Sequence, residues 1–298
     1  MFTSYSWVNP LKNILSWIIN KVVFDILKLK VDKYKYVIAK DFNNFLSNIN
    51  GQFANGEIDA KDLLVYLLQM MHEELNYLGD RKLKNIPKCN KLIERESFSY
   101  FMTKNSNLNL SIILYLFYGV LKSITICKGC NHKLYDFQYF TILSFPTLNY
   151  KSKDFNIYHW FNELTKPKLM NGDNKYYCQY CRSFREAGVI TKIFFAPPYL
   201  IINIDYGKNK KYLPRKVHFG GVIDIKEFAD ENNKLPSIQY KLISVCKYIG
   251  KTGSSGHYVS LCQNNRDKWY EFNDSNVTET KFEEVNSYSP YILIYKKL

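Results

Sequence analysis

The chain has 298 residues, 46% of them hydrophobic, so it has the length and apolar content to bury a sizeable core and is not a disordered chain. Its formal net charge of +14 would suit nucleic acid, acidic lipid headgroups or an acidic protein partner, but the lysines are scattered as on an ordinary solvated surface. Seven cysteines, four of them in two CxxC pairs, point to metal in a reducing compartment rather than to a disulfide scaffold, and there is no internal repeat or low-complexity tail.

Between Leu11 and Leu27 the apolar residues are interrupted by Lys12, Asn13, Asn20, Lys21 and Asp25. No run there approaches the ~20 apolar residues of a membrane span, and no small-residue cleavage site follows to mark a signal peptide. The segment reads as a buried amphipathic helix, with Ser6 just ahead of it in the position of an N-cap. A second helix is expected after Asp59, where Leu63, Leu64, Leu67, Leu68, Met71 and Leu75 recur at helical spacing and Asp59 stands at the N-cap. From Arg81 to Ser106 the composition turns polar and basic, which reads as a surface connection.

Cys127-Lys128-Gly129-Cys130 and Cys178-Gln179-Tyr180-Cys181 each offer two thiolates from a tight knuckle. Together they can close a tetrahedral four-sulfur zinc site, and strand-like stretches (Ser123 to Ile126, Thr191 to Phe195) flank them. Four thiolates leave no open coordination position, so the metal is structural. The long insertion between the pairs carries a strand pattern at Tyr135 to Leu143 and an amphipathic stretch at Phe155 to Leu164. Pro197-Pro198 then opens a β-branched run through Ile204 that reads as a central strand. A basic loop follows from Gly207 to Arg215, and further strands are expected at Val217 to Ile225, Lys241 to Tyr248 and Tyr288 to Tyr295.

The stretch richest in chemistry is Lys251 to Thr278. A Gly/Ser loop empties into His257, an alternating strand follows, and a polar turn (Asn264 to Lys268) leads back through Trp269-Tyr270-Glu271-Phe272 to Asn273-Asp274-Ser275. Antiparallel pairing of such a hairpin brings its open ends together. Asn273 or Asp274 could then hold one nitrogen of His257 and leave the other free, which is the base and its orienting partner in a nucleophilic triad. An isolated strand histidine would by itself read as an ordinary residue with polar neighbours.

In this order the segments resemble the ubiquitin-specific proteases, the papain-like cysteine peptidases that remove ubiquitin. The small-residue loop with Gly256-His257-Tyr258, followed by Trp269-Tyr270-x-Phe272-Asn273-Asp274, is similar to the family's histidine box. Asp59, Ala60 and His72-Glu73-Glu74-Leu75 match its second box, although both glutamines and the phenylalanine of that box are replaced, by Glu57, Lys61 and Leu63. The CxxC pairs match a zinc ribbon, and Pro197-Pro198 with the strand after it matches a further family strand.

The resemblance implies an α+β, papain-like fold in a single catalytic domain over 1–298. Its parts would be a helical thumb (1–110), fingers with zinc knuckles (111–200) and a β-rich palm with the histidine box (201–298), with no separate ubiquitin-like or targeting domain. It implies ubiquitin or ubiquitinated proteins as partners, no nucleic acid and no membrane span, and a cytoplasmic or nuclear location. The implied structural zinc ligands are Cys127, Cys130, Cys178 and Cys181. His257 would be the general base, Asn273 its orienting partner and Asp274 an assistant, while His72 would be structural.

One box departs from the family. Ser6-Trp7-Val8-Asn9 resembles the nucleophile box in a register that puts Ser6 where the family carries cysteine and Met1 where it carries the oxyanion-binding asparagine. A serine hydroxyl is a far weaker acid than a thiol, so it needs a tightly arranged base and a full oxyanion hole. Three explanations stay open: an inactive relative, a chain that starts too late, or a Cys→Ser substitution, the last disfavoured because the lead-in Thr3-Ser4-Tyr5 diverges as well.

Overall fold

The computed structural model describes residues 59–77, 90–91, 93–106, 110–147, 154–207, 216–232, 236–250, 256–285 and 290–298, with 42, 44, 47 and 48. These fall into two compact units, one within 1–79 and 109–114 and the other within 80–108 and 115–298. No described helix is long and apolar enough to cross a membrane.

In the smaller unit, α1 (Ala60–Glu74) starts where the sequence places its cap: the Asp59 carboxylate accepts from the Lys61 amide at 2.9 Å. His72, in its last turn, is 8% exposed and sits 2.6 Å from the Ser111 hydroxyl. That oxygen also accepts from the Leu114 amide at 3.1 Å, in the first turn of the short helix α3 (Ile112–Phe117). The hydroxyl keeps both a proton to donate to Nδ1 and a second lone pair to accept from it. Burial holds the His72 pKa below its ordinary 6.5, against the opposing charge of Glu73. The folded chain then binds fewer protons than the unfolded chain as pH falls below 6.5, so this unit loses stability in that direction. Urea midpoints at pH 7.5 and 5.5 should differ less for His72→Gln than for the wild type. Equal differences would refute the assignment.

In the larger unit, α2 (Glu94–Ser106) corrects the expected surface connection over Arg81 to Ser106. Phe98 and Phe101, one turn apart, pack their rings on Phe137 (5.1 and 6.1 Å), and Phe98 also meets Phe194 at 4.8 Å. An aromatic seam thus anchors a helix whose other positions are mostly polar. Next come β1 (Gly119–Cys127), β2 (Lys133–Phe140), β3 (Ile142–Pro146) and β4 (Asp154–Asn156), the last running into α4 (Ile157–Thr165). Asn156 caps α4 by accepting from the Tyr158 amide at 3.0 Å. The buried positions Ile157, Trp160, Phe161 and Thr165 follow the helical period, and Trp160 and Phe161 close on Phe145 and Phe228. Each such large apolar side chain contributes about 1.5–3 kcal/mol on full burial.

The remaining strands are β5 (Lys168–Met170), β6 (Tyr176–Cys178), β7 (Ser183–Arg185), β8 (Ala187–Phe195), β9 (Tyr199–Asp205), β10 (Lys216–His218), β11 (Val222–Asp224), β12 (Gln239–Ile249), β13 (His257–Gln263), β14 (Trp269–Asn273), β15 (Asn276–Thr280) and β16 (Pro290–Lys297). The stretch expected as one strand, Val217 to Ile225, is broken at Gly220-Gly221, where a Cβ on Gly220 would meet the Val222 carbonyl. Its two pieces pair differently: β10 runs parallel to β4, and β11 antiparallel to β12.

Two sheets position the sites. The first has the order β2-β1-β8-β5, and β1 and β8 pair from Val120 opposite Phe195 to Cys127 opposite Ala187, ending at the two cysteine knuckles. The second has the order β15-β14-β13-β12-β16-β9-β3, with β11 beside β12. Leu200, Ile201, Ile202 and Ile204 of β9 are buried, as are Leu293 and Tyr295 of β16, so the Pro-Pro segment does open a central strand.

Candidate active site and metal centre

The hairpin β13–β14 is antiparallel, with Ser260 opposite Phe272, Leu261 opposite Glu271 and Gln263 opposite Trp269. Side chains alternate along each strand, so His257, Val259 and Leu261 share one face with Glu271 and Asn273. Val259 and Leu261 are fully buried and seat this face on the core, which fixes the register, while the His257 side chain at the strand end is 43% exposed. His257 Nε2 lies 2.7 Å from Asn273 Oδ1. An amide oxygen only accepts, so Nε2–H donates to it, and in the neutral ring Nδ1 then carries the lone pair. Asp274 follows at φ 51°, in the two-residue turn before β15. Its carboxylate, 80% exposed, stands 3.6 Å from Nε2, beyond hydrogen-bond length. The structure therefore brings His257 together with both Asn273 and Asp274, and the hydrogen bond is to Asn273. Ser6 and Met1 lie outside the described residues.

Sequence reasoning missed two supports of this hairpin. Lys247 of β12 is 4% exposed and crosses beneath β13 to donate to Glu271 Oε2 at 2.6 Å, linking β12 to β14 on the face that carries His257. On the other face the Tyr248 ring occupies the space a Cβ on Gly256 would need, and it meets Tyr258 at 5.1 Å. The glycine before His257 thus allows a close approach that any side chain would block. The Gly-His-Tyr string signalled Gly256; nothing in the sequence marked Tyr248 as its neighbour.

At the ends of β1 and β6 the sulfurs of Cys127, Cys130, Cys178 and Cys181 all lie within 4.8 Å of one another. Two of the separations are 3.9 Å (Cys127 to Cys181) and 3.5 Å (Cys130 to Cys178). Tetrahedral zinc with bonds of about 2.3 Å sets its sulfurs about 3.8 Å apart, so the spacing and the all-thiol donor set both fit that ion. The two knuckles are built alike. Each places a left-handed residue directly after its second cysteine, Asn131 at φ 58° and Arg182 at φ 49°. The Cys181 backbone amide pulls the Cys178 thiol down to about 7, while the Cys130 thiol and burial push Cys181 up to about 12. Four crowded thiols cannot all ionise unless a cation sits among them.

The comparisons with known proteins agree with this geometry. The family described as ubiquitin carboxyl-terminal hydrolase matches residues 8–295. Human ubiquitin carboxyl-terminal hydrolase 2 is 28% identical over 244 residues, covering 80% of this chain and 40% of that protein. Ubiquitin carboxyl-terminal hydrolase 8 of Saccharomyces cerevisiae is 29% identical over 199 residues, or 62% of this chain and 41% of that one. The chain therefore spans about two fifths of the length of these curated relatives. Among solved structures, a SAGA DUB module of Ubp8, Sgf11, Sus1 and Sgf73 bound to monoubiquitin shares the fold with a TM-score of 0.65 at 23% identity, over 85% of this chain and 51% of that one. The module bound to ubiquitin aldehyde gives 0.62 at 23% identity, over 85% and 52%. With the family model matched over nearly the whole chain, the chain belongs to the ubiquitin carboxyl-terminal hydrolase family.

Proposed function

We propose that the chain binds ubiquitin and carries the base half of a deubiquitinase site, with Ser6 at the nucleophile position. The observation that carries this reading is the 2.7 Å contact between His257 Nε2 and Asn273 Oδ1, which leaves Nδ1 as a free base at the end of a buried-face hairpin. In that role Nδ1 takes the nucleophile's proton on attack at the carbonyl that ends ubiquitin and later returns it to the leaving lysine amine; water then hydrolyses the acyl-enzyme. Asn273 keeps the ring in its tautomer and Asp274 assists from solvent. Zn²⁺ held by Cys127, Cys130, Cys178 and Cys181 stiffens the fingers and takes no part in the chemistry, because four thiolates fill its coordination. On this reading the thumb is 1–110, the fingers 111–200 and the palm 201–298, and a zinc site of four thiolates favours a reducing compartment, the cytoplasm or nucleus.

A second reading, a ubiquitin-binding pseudoenzyme, is favoured by Ser6 itself. Loss of one oxyanion donor costs about 10²- to 10³-fold, and a serine without a tuned environment is a weaker nucleophile than a thiolate. The wild-type chain is accordingly expected to bind ubiquitin without cleaving it at a useful rate. The test is hydrolysis of a fluorogenic ubiquitin C-terminal amide by the wild type, Ser6→Cys and Ser6→Cys/His257→Ala. Turnover gained in Ser6→Cys and lost again with His257→Ala supports the base assignment. Turnover by the wild type that vanishes in Ser6→Ala would make Ser6 the nucleophile. No turnover in any of them, with ubiquitin bound, leaves the pseudoenzyme. A chain that binds no ubiquitin overturns both readings.

A further inference from the structure

The ribbon formed by β6 and β7 turns an unusual set of side chains outward. Tyr177 and Phe184 are directly paired across it, their rings 5.4 Å apart at 73°, and they remain 49% and 67% exposed. Tyr180, at the turn, is 56% exposed, with its ring stacked on His132 at 3.4 Å. A cross-strand ring pair steadies the ribbon by at most about 1 kcal/mol, yet it leaves most of these two rings in water. Around them stand cations. Lys175 precedes β6, Arg182 ends the knuckle, Arg185 reaches over Gly129, and Lys128 and Lys133 flank the facing knuckle. Lys128 is matched by Glu186 at 3.6 Å, whereas Lys133, Lys175, Arg182 and Arg185 form no ion pair with another described residue. The acidic groups of the ribbon and its approach are Glu186 and Asp173, so positive charge is in excess.

In sequence these cations are spread from Lys128 to Arg185 and argue against a nucleic-acid partner; the fold sets Lys175 and Arg182 at the two ends of the ring pair, while Arg185 turns to the opposite face against Gly129. Lys175 and Arg182 come to opposite ends of the ribbon, about 13 Å apart at the usual strand rise, with Tyr177 and Phe184 between them. We propose that this knuckle ribbon binds single-stranded nucleic acid, with bases stacking on Tyr177 and Phe184 and phosphates meeting Lys175 and Arg182. Charge complementarity selects a polyanion, and the chain's net +14 adds long-range attraction. The exposed rings select nucleic acid over an acidic peptide, because every base offers a flat face for them and an acidic side chain offers none. This inference goes beyond the deubiquitinase reading and stands or falls without it.

The test is fluorescence anisotropy of a labelled oligothymidylate of about twelve nucleotides, within the usual site size, titrated with the purified full chain. Binding is expected at low salt and should weaken with a log–log slope of about −0.7 for each phosphate engaged. Tyr177→Ala/Phe184→Ala should lose affinity on the order of tenfold or more with the slope unchanged. Lys175→Gln/Arg182→Gln should flatten the slope by about 1.4. Zinc content and the circular dichroism melt show whether each variant is folded. The proposal is overturned if the wild type does not bind, or if the folded ring variant binds like the wild type. It is also overturned if an oligoglutamate of the same charge binds as tightly and with the same dependence on Tyr177 and Phe184. Ubiquitin binding is read in a separate assay, so failure of one does not imply failure of the other.

Discussion

Cys178→Ser is expected to strip the chain of its metal and melt the ribbon β6–β7, leaving most of the sheet that leads to it. The ribbon has almost nothing else to hold it. Of its own side chains only Cys178 is buried, while Tyr177 and Phe184 face solvent. Structural zinc in such knuckles carries apparent binding energies of about 10–16 kcal/mol at neutral pH, and that energy is folding energy. Strands β1 and β8, in contrast, pair over their whole length and bury Val120, Leu121, Ala187 and Ile193 without help from the sulfurs. Elemental analysis should return about one zinc per wild-type chain and none in the variant. Amide exchange should become fast in β6 and β7 while remaining slow in β1 and β8. Chelation of the wild type should give the same pattern, more readily at acid pH because the ligands must be deprotonated. A Cys178→Ser chain with β6–β7 still protected, or a wild type without zinc, would refute the metal assignment.

What the sequence disclosed and what it concealed follow from range. The hairpin at His257 and both knuckles were legible because each is a local string whose spacing nearly fixes its geometry: two strands at turn distance, two cysteines on one turn. Asp59 was legible for the same reason, since an N-cap acts within three residues. The break at Gly220-Gly221 carried a local sign that an alternating pattern on both sides outweighed. Helix α2 was hidden because its apolar stripe is little more than Phe98 and Phe101, and the partners that make this sufficient, Phe137 and Phe194, belong to other strands. The support under the His257 hairpin was hidden likewise. Lys247 and Glu271 read as ordinary surface charges until the register of β12, β13 and β14 places them on one buried face.

Lys122 is the extreme case of such concealment, and Lys122→Met should be among the most damaging single substitutions in the larger unit. A lysine in mid-strand would ordinarily point to solvent, but this residue is 3% exposed. Its ammonium is held by Asp230, itself 4% exposed, and by Glu94 Oε1 at 3.0 Å, and it lies 5.8 Å above the Phe194 ring. Burial works against its charge, but hydrogen bonds to Asp230 and Glu94 outweigh that penalty and hold its pKa above the ordinary lysine range. The cluster joins three elements: β1 through Lys122, α2 through Glu94, and the turn at Asp230, whose other oxygen accepts from the Asn232 amide at 3.1 Å. Methionine keeps the apolar stem of the side chain but not the ammonium, and leaves Asp230 buried without its counter-charge, a situation that typically costs about 3–5 kcal/mol. Glu94 is less exposed to this loss, because its side chain keeps 30% of its surface in water. Lys122→Met/Asp230→Asn should recover at least half of the deficit, since the amide removes the stranded charge and keeps the oxygen that caps the turn. Urea denaturation at neutral pH decides the matter: a Lys122→Met midpoint equal to the wild type, or a double variant no more stable than the single one, would show that the buried pair does not hold these elements together.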